Sequence, residues 1–456
     1  METTRQNGEG ARAELGLWDA TSIIVGIMIG VGIFEMPQIV FKQAPGPWEA
    51  MLTWVVGGIL ALVGALCFAE LAGAYPHSGG EYVYLTRAYG PLSGFLFGWA
   101  QLAVIRPASI GALAYIFAER AETLLPADLI AGSLIESKLL LALIAVAVLT
   151  VINVLGATLG ATTQNLLTAA KVLGLGGMIV WLLRAPLHFP AVESVAAKPG
   201  WFASSMVVVL WTYAGWNEAA YIAAEVKNSR KNLPLALILG TLGVTLIYLL
   251  VNGAMLLALG FDGARSQKPA MIIQGDVGRV VNIMIMISAL GAINGMIFTT
   301  ARISSAFGQD HRLFRSLGHW SRWGAPVRAL AICGFLNLSY LAGAALIGTG
   351  QNSLEFWIDL TAAVFWFFFL LTGLALLVLR VKEPLAARPF RVPWYPFLPL
   401  VFSGWCAYMV VASISKFPME SFFGFLVLLA GLPFYYLPQK KKKPRMSEVE
   451  PPLVEV

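Results

Sequence analysis

Gly26-Ile27-Met28-Ile29-Gly30-Val31-Gly32 interrupts the first long apolar run of the chain, and the reading of its glycines decides the fold. The run, 18–41, exceeds the roughly 20 residues that a helix needs to cross a bilayer core. Glycine in such a run has two readings. Gly26 and Gly30 form a small-xxx-small pair that lets helices pack closely. Alternatively, the segment unwinds and the backbone itself approaches a ligand. A second interruption, Tyr213-Ala214-Gly215-Trp216-Asn217, falls in the sixth apolar run. Each interruption thus lies in the first span of a block of five, the placement that inverted-repeat carriers give to their discontinuous helices.

The rest of the chain fits a membrane domain. Of 456 residues, 58% are hydrophobic and 12% charged, against about 25% charged in a soluble chain. Twelve spans are expected, at 18–41, 48–73, 91–119, 138–155, 162–184, 201–225, 233–260, 277–307, 326–347, 353–380, 394–415 and 418–437. They are helices, because backbone groups in lipid must be satisfied within a segment or in a closed barrel, and the runs lack the alternation of barrel strands. Lys and Arg set the orientation. With both termini in the cytoplasm, nineteen fall in cytoplasmic segments and nine outside, as the positive-inside rule requires. Met1 to Glu14 is polar, so no cleavable signal peptide is expected. The net charge of +6 reads as topology-setting, not as a nucleic-acid footprint. The run Lys440 to Lys443 reads as a stop signal or as a contact for anionic lipid.

Unwinding supplies chemistry. A half-helix N-terminus offers free N–H donors and partial positive charge to a carboxylate, while freed carbonyls suit an ammonium. A site with both features fits a zwitterion.

The motifs carry a resemblance. Gly26 to Phe34 resembles the first-span signature of the amino acid–polyamine–organocation superfamily. Its L-type amino-acid transporter branch is resembled by Tyr213 to Asn217 with Glu225 and Arg230 to Pro234, by Cys67 to Leu71 with Pro76 to Tyr82, and by Ile105-Arg106-Pro107-Ala108-Ser109. Asn294 and Gly295 through Thr299 to Arg302, and Arg388 to Val392, complete the set. The resemblance implies an all-α membrane protein with a LeuT-like fold. Repeats at 17–184 and 201–380 would be followed by two extra helices at 393–437, between cytoplasmic tails 1–16 and 438–456. It also implies secondary-active transport of neutral L-amino acids by alternating access, as sodium-independent exchange or as proton symport.

Carried over by motif, the substrate carboxylate would meet backbone N–H groups near Met28, Gly30, Val31 and Gly32. The amino group would meet carbonyls near Ile27, Trp211 and Ala214. Trp211 would gate the site, and Asn217 would be a polar neighbour. Val31 stands where the family often has a hydroxyl residue, so only backbone donors remain there. Trp211 is bulkier than the usual phenylalanine, which implies a smaller side-chain pocket. Family members in animals join a heavy chain through a cysteine in the loop after span three. Residues 120–137 have none, so no disulfide-linked partner is expected.

Lys171 lies mid-span in the fifth helix, a costly place for a cation. Related transporters hold a lysine at this level, where sodium-coupled members bind sodium. It is either a strut bonded to carbonyls of spans one and eight, or a titrating coupler. Arg106 is read as structural, pairing with Glu218 or a carbonyl, and Glu218 as a candidate for the permeation path. Arg302 is expected to snorkel, and Asp19, Glu35 and Glu70 to cap helices or pair with loops. Cys67, Cys333 and Cys406 fall in spans, which argues against a disulfide framework. His77, His188, His311 and His319 fall in loops without ligand spacing, so no metal site is expected. No Walker A run is present, no cofactor is implied, and no nucleophile–base pair suggests an enzyme. A channel would need filter loops or charged rings, which the sequence lacks.

Overall fold

The computed structural model describes residues 13–125, 137–188, 199–266, 276–321, 324–346 and 350–437. The tails, most of the loop after span three and the Lys440 run lie outside them. The described chain is helical. Its helices are α1 (Leu17–Met28), α2 (Gly32–Gln43), α3 (Pro47–Ala74), α4 (Glu81–Tyr89), α5 (Pro91–Ala100), α6 (Arg106–Glu122), α7 (Ser137–Leu155), α8 (Ala157–Leu182), α9 (Trp201–Thr212), α10 (Ser229–Ser266), α11 (Asp276–Asp310), α12 (Val327–Leu346), α13 (Gly350–Lys382), α14 (Phe397–Lys416), α15 (Pro418–Leu429) and α16 (Leu432–Tyr436). Among the described residues, ten helical segments are long and apolar enough to cross a bilayer. The pair α1 and α2, bent by 49°, makes an eleventh. The protein is therefore a multi-pass membrane protein.

Two expected spans are built differently. Span six is not one helix over 201–225: α9 stops at Thr212, turns follow, and Glu218–Glu225 is a 3-10 segment. The twelve expected spans are reached only by counting this half-length helix with its 3-10 continuation. Gly215, at φ +107°, explains the stop, since that backbone conformation cannot continue a helix. The last span is likewise two pieces, α15 and α16, around Gly431. Span three has a π-helical turn, Gln101–Ile105, between α5 and α6. Pro107 sits in the first turn of α6, where its missing N–H does least harm.

The breaks meet in the middle of the bundle. α2 packs on α9, and α1 packs on the 3-10 segment. At the N-terminal end of α1, Leu15 bridges Val226: the Leu15 N–H donates to the Glu225 carbonyl at 2.9 Å, and the Lys227 N–H to the Leu15 carbonyl at 2.8 Å. α8, α10 and α11 enclose α1.

The motif residues that flank the site are structural. Glu70 is fully buried; its carboxylate takes Arg380 at 2.6 and 2.8 Å, Arg388 at 3.3 Å and the Val392 N–H at 2.7 Å. The segment Arg388 to Val392 is thereby tied to α3, the loop pairing expected of Glu70. Asp19 caps α1 by accepting from the Gly16 N–H at 2.7 Å, and Glu35 pairs with Arg120 at 2.7 Å. Arg302 does not snorkel. It is fully buried, donates to both Glu225 oxygens at 2.8 Å, and lies 3.5 Å over the Phe298 ring. Its place near the end of α11 faces another segment of the bundle instead of the interface. Cys67, Cys333 and Cys406 are free and buried.

Candidate functional site

A cavity of about 200 Å³ lies between the two breaks. Ile27, Met28, Gly30, Val31, Gly32, Trp211, Ala214 and Asn217, the residues singled out from the sequence, all line it. Lys171 does not; it stands behind α1. The remaining wall is mostly apolar, with Ile105, Leu113, Ile116, Met296, Phe365 and Trp366 prominent.

The glycine readings divide by position. Gly26 is a packing glycine, because a Cβ there would enter the Gln164 and Thr168 side chains of α8. Gly30 is open, with its own chain's carbonyls 3.8 and 4.0 Å away as the nearest atoms to such a Cβ. Gly215 belongs to both readings: its Cβ would stand 2.8 Å from Ile27 Cγ2 and 3.2 Å from the Met28 nitrogen, so it fastens one break against the other.

The backbone groups at the breaks are partly engaged. The Gly30 N–H donates to the Met28 carbonyl at 2.8 Å, which removes Gly30 from the expected carboxylate donors. Met28 closes α1 and belongs to that helix's ladder. The N–H groups of Val31, Gly32 and Ile33, at the start of α2, make no hydrogen bond among the described residues. They are three of the orphan donors that every helix N-terminus leaves. The carbonyls of Ile27 and Ala214 are likewise open, whereas the Trp211 carbonyl already accepts the Ala214 N–H at 3.2 Å. The residues that carry these open donors and acceptors, Ile33 excepted, line one cavity. Trp211 closes α9 and lines the cavity with 44% of its surface accessible.

Side chains fix the break geometry. Lys171 Nζ donates to the Gly26 carbonyl and, at 3.0 Å, to the Ile29 carbonyl. Both acceptors belong to span one; the expected carbonyl of span eight is not used. Span eight instead contributes Ser288, whose hydroxyl lies 2.9 Å from the Ile29 carbonyl and 3.2 Å from that of Gly30. The buried Tyr248 hydroxyl reaches the Met28 carbonyl at 2.6 Å and the Thr212 carbonyl at 3.1 Å, bridging both breaks. Sequence reasoning missed Ser288 and Tyr248. The available signal was a lone hydroxyl inside an apolar helix.

Arg106 and Glu218 also line the cavity and are buried. The Arg106 Nη2 lies 2.9 Å from Glu218 Oε1, and its Nε donates to Gln101 Oε1 at 2.8 Å. Thr299 Oγ1 donates to Glu218 Oε2 at 2.6 Å. Of the two partners left open for Arg106, the structure takes Glu218. The pair cancels its own charge, so the cavity presents no uncompensated cation or anion to a ligand side chain. Among the described residues no group of His, Cys, Asp and Glu could hold a metal ion.

Comparison with known proteins agrees with this architecture. Residues 15–434 match the family described as amino acid permease. The chain is similar to the human b(0,+)-type amino acid transporter 1, 32% identical over 93% of this chain and 87% of the relative. It is similar to the serine/threonine exchanger SteT of Bacillus subtilis (strain 168), 30% identical over 95% of this chain and 98% of the relative. The human Asc-type amino acid transporter 1 is 27% identical over 93% and 82%. Broken helices, cavity and full-length match together place the chain in the amino acid permease family, as an amino-acid transporter of the amino acid–polyamine–organocation superfamily and not an enzyme.

Proposed function

We propose that the protein exchanges neutral L-amino acids across the membrane by alternating access, without sodium. The observation that carries this reading is the shared space between the breaks, lined by Val31 and Gly32 with open N–H groups and by Ile27 and Ala214 with open carbonyls. The substrate carboxylate sits at the N-terminus of α2, where donors and helix dipole favour an anion. The ammonium takes the carbonyls, with Ile27, Met28, Gly30, Trp211 and Asn217 completing the site and Trp211 acting as its lid. The apolar wall and the self-neutralised Arg106–Glu218 pair favour an uncharged side chain, because a charged one would be desolvated without a partner. Lys171 sets a fixed ammonium against two carbonyls of span one, which supports sodium independence. The similarity to an exchanger from Bacillus subtilis supports exchange.

Two five-helix repeats, 17–184 and 201–380, form the moving body, with both termini cytoplasmic and no disulfide-linked heavy chain. The test is uptake of radiolabelled amino acids into proteoliposomes. Uptake should require amino acid inside the vesicles and ignore sodium. Accumulation in empty vesicles driven by a pH gradient would replace exchange with proton symport, and a sodium requirement would remove the role given to Lys171.

A further inference from the structure

Between α3 and α4 the chain turns through Gly79 and Gly80, at φ +109° and +49°. The turn presses the start of α4 against the 3-10 segment of span six. The Gly79 N–H donates to the Tyr221 carbonyl at 3.0 Å, and a Cβ on Gly80 would stand 2.8 Å from the Tyr221 ring. Glu81, in this connector outside the spans, is carried into the interior with 2% of its surface accessible. Its Oε1 accepts from Asn217 Nδ2 at 3.1 Å, while its Oε2 is buried without any hydrogen-bond partner. The same Nδ2 donates to the Tyr221 hydroxyl at 2.9 Å, and Asn217 lines the cavity.

The charges around Glu81 do not balance. From the 3-10 segment come Glu218 and Tyr221; from α6 comes Arg106, already engaged by Glu218 and Gln101. Tyr84, on the same helix as Glu81, has a buried hydroxyl without a partner. From α13, Arg380 goes to Glu70 and Lys382 to the Ala88 carbonyl. From α11, Asp310 goes to Tyr82. α5 carries no ionisable residue. Two buried carboxyls thus face one cation, and Glu81 is left with neutral donors alone, Asn217 and the Tyr221 hydroxyl among them, so burial favours its neutral form.

We propose that Glu81 is a proton-binding site in the gate at the N-terminal end of α1, carrying a proton while the 3-10 segment lies against α4 and releasing it when that segment withdraws. Burial, the largest influence, pushes the Glu81 carboxyl up to about 8 from its ordinary 4.5. Between those values the closed gate binds a proton that the solvated carboxyl of the open gate does not. The closed form therefore loses about a factor of ten in relative population per pH unit across that window, and nothing further above it. The proton leaves and returns on one side, so the device sets the pH dependence of the gate without net proton transport. It goes beyond the exchange reading.

The experiment is an infrared titration of the protein in lipid vesicles from pH 5 to 10, for the native chain and Glu81→Gln. A protonated-carboxyl band should persist at pH 7, vanish around pH 8 and be missing from E81Q. Counterflow of labelled serine in the same vesicles should vary by up to about tenfold per pH unit below pH 8 in the native chain, and be flat in E81Q. A native chain with no carboxyl band at pH 7, or an E81Q chain that keeps the native pH profile, overturns the proposal. So does thermal stabilisation of the native chain by sodium at pH 9 that E81Q lacks, because the site would then hold a metal cation. If E81Q does not fold, the native titration decides alone. The infrared measurement needs no substrate, so its failure is distinct from failure of the exchange reading.

Discussion

Gly215→Ala tests the interlock of the two breaks. The glycine sits at φ +107°, and an added Cβ would stand 2.8 Å from Ile27 Cγ2 and 3.2 Å from the Met28 backbone nitrogen. A side chain in such a backbone region costs of order 1–3 kcal/mol, and overpacking a filled site typically costs another 1–3 kcal/mol. The closest contact is with the β-branched Ile27 side chain, and backbone at 3.2 and 3.3 Å lies just behind it, so little room is left for relief. The strain falls on Ile27 and Met28, at the open carbonyl and the start of the turn. Even about 2 kcal/mol taken from amino-acid binding is roughly a thirtyfold weaker Kd. The control is Gly243→Ala on α10, where an added Cβ meets nothing within 4 Å; there alanine should be neutral or stabilising by up to about 1 kcal/mol. Melting of the purified protein, with and without amino acid, separates the terms. G215A should melt lower and lose its ligand-induced shift, while G243A keeps both. A G215A protein with native Tm and native uptake would refute the claim that span six fastens against span one here.

Three further outcomes are expected. Lys171→Ala removes the donor to the Gly26 and Ile29 carbonyls. Ser288 still serves Ile29, but the Gly26 carbonyl is left as a buried acceptor that costs about 1–3 kcal/mol; counterflow should be lost at every pH, and native uptake at any pH would contradict it. Glu218→Gln takes from the buried Arg106 the carboxylate it is bonded to, so stability should fall by up to about 3–5 kcal/mol, the loss shrinking as the nearby Glu81 ionises. The double variant with Arg106→Met should recover part of that loss, and a single variant melting like the native chain would show the pair to be inert. Trp211→Phe enlarges the cavity at the end of α9, so competition assays should shift preference toward bulkier neutral amino acids; an unchanged ranking would place Trp211 away from the side-chain pocket.

Much of this architecture was legible in the sequence, for identifiable reasons. Apolar runs of bilayer length need no tertiary information, and glycines at 26–32 and 213–217 mark where a helix must fail. The eight lining residues followed from those breaks and from motif resemblance. What could not be read was pairing across helices, which depends on helix rotation. Arg302 looked like a snorkelling residue by its place near a helix end, yet its face meets Glu225. As a strut, one of its two readings, Lys171 would reach carbonyls of spans one and eight; it reaches only span one, and span eight contributes Ser288. The second half of span six reads as helix from its apolar content, whereas beyond the turn at Gly215 it is a 3-10 segment. Nothing in the motif Pro76 to Tyr82 marks Glu81 as buried, since a glutamate at a helix start usually faces water.

The placement of buried charge argues that the two ends of the bundle open by different physics. On the side of Leu15, the 3-10 segment is tied to its neighbours by Arg302–Glu225 and Arg106–Glu218, all four side chains nearly inaccessible. Separating either pair in a dry interior would strand two charges, at several kcal/mol each. Those contacts can part only as water arrives, so opening that end and hydrating it are one event. Its energetics should respond to pH and to the protonation of Glu81. α9 carries no ionisable residue; hydrogen bonds from Ser205 to Gln43 at 2.9 Å and from Tyr248 to the Thr212 carbonyl at 3.1 Å, with apolar packing, hold it. It can tilt without breaking an ion pair. Conditions that act on charge should therefore bias the exchanger toward one face without altering the site itself, because the site's own donors and acceptors are backbone groups that do not titrate.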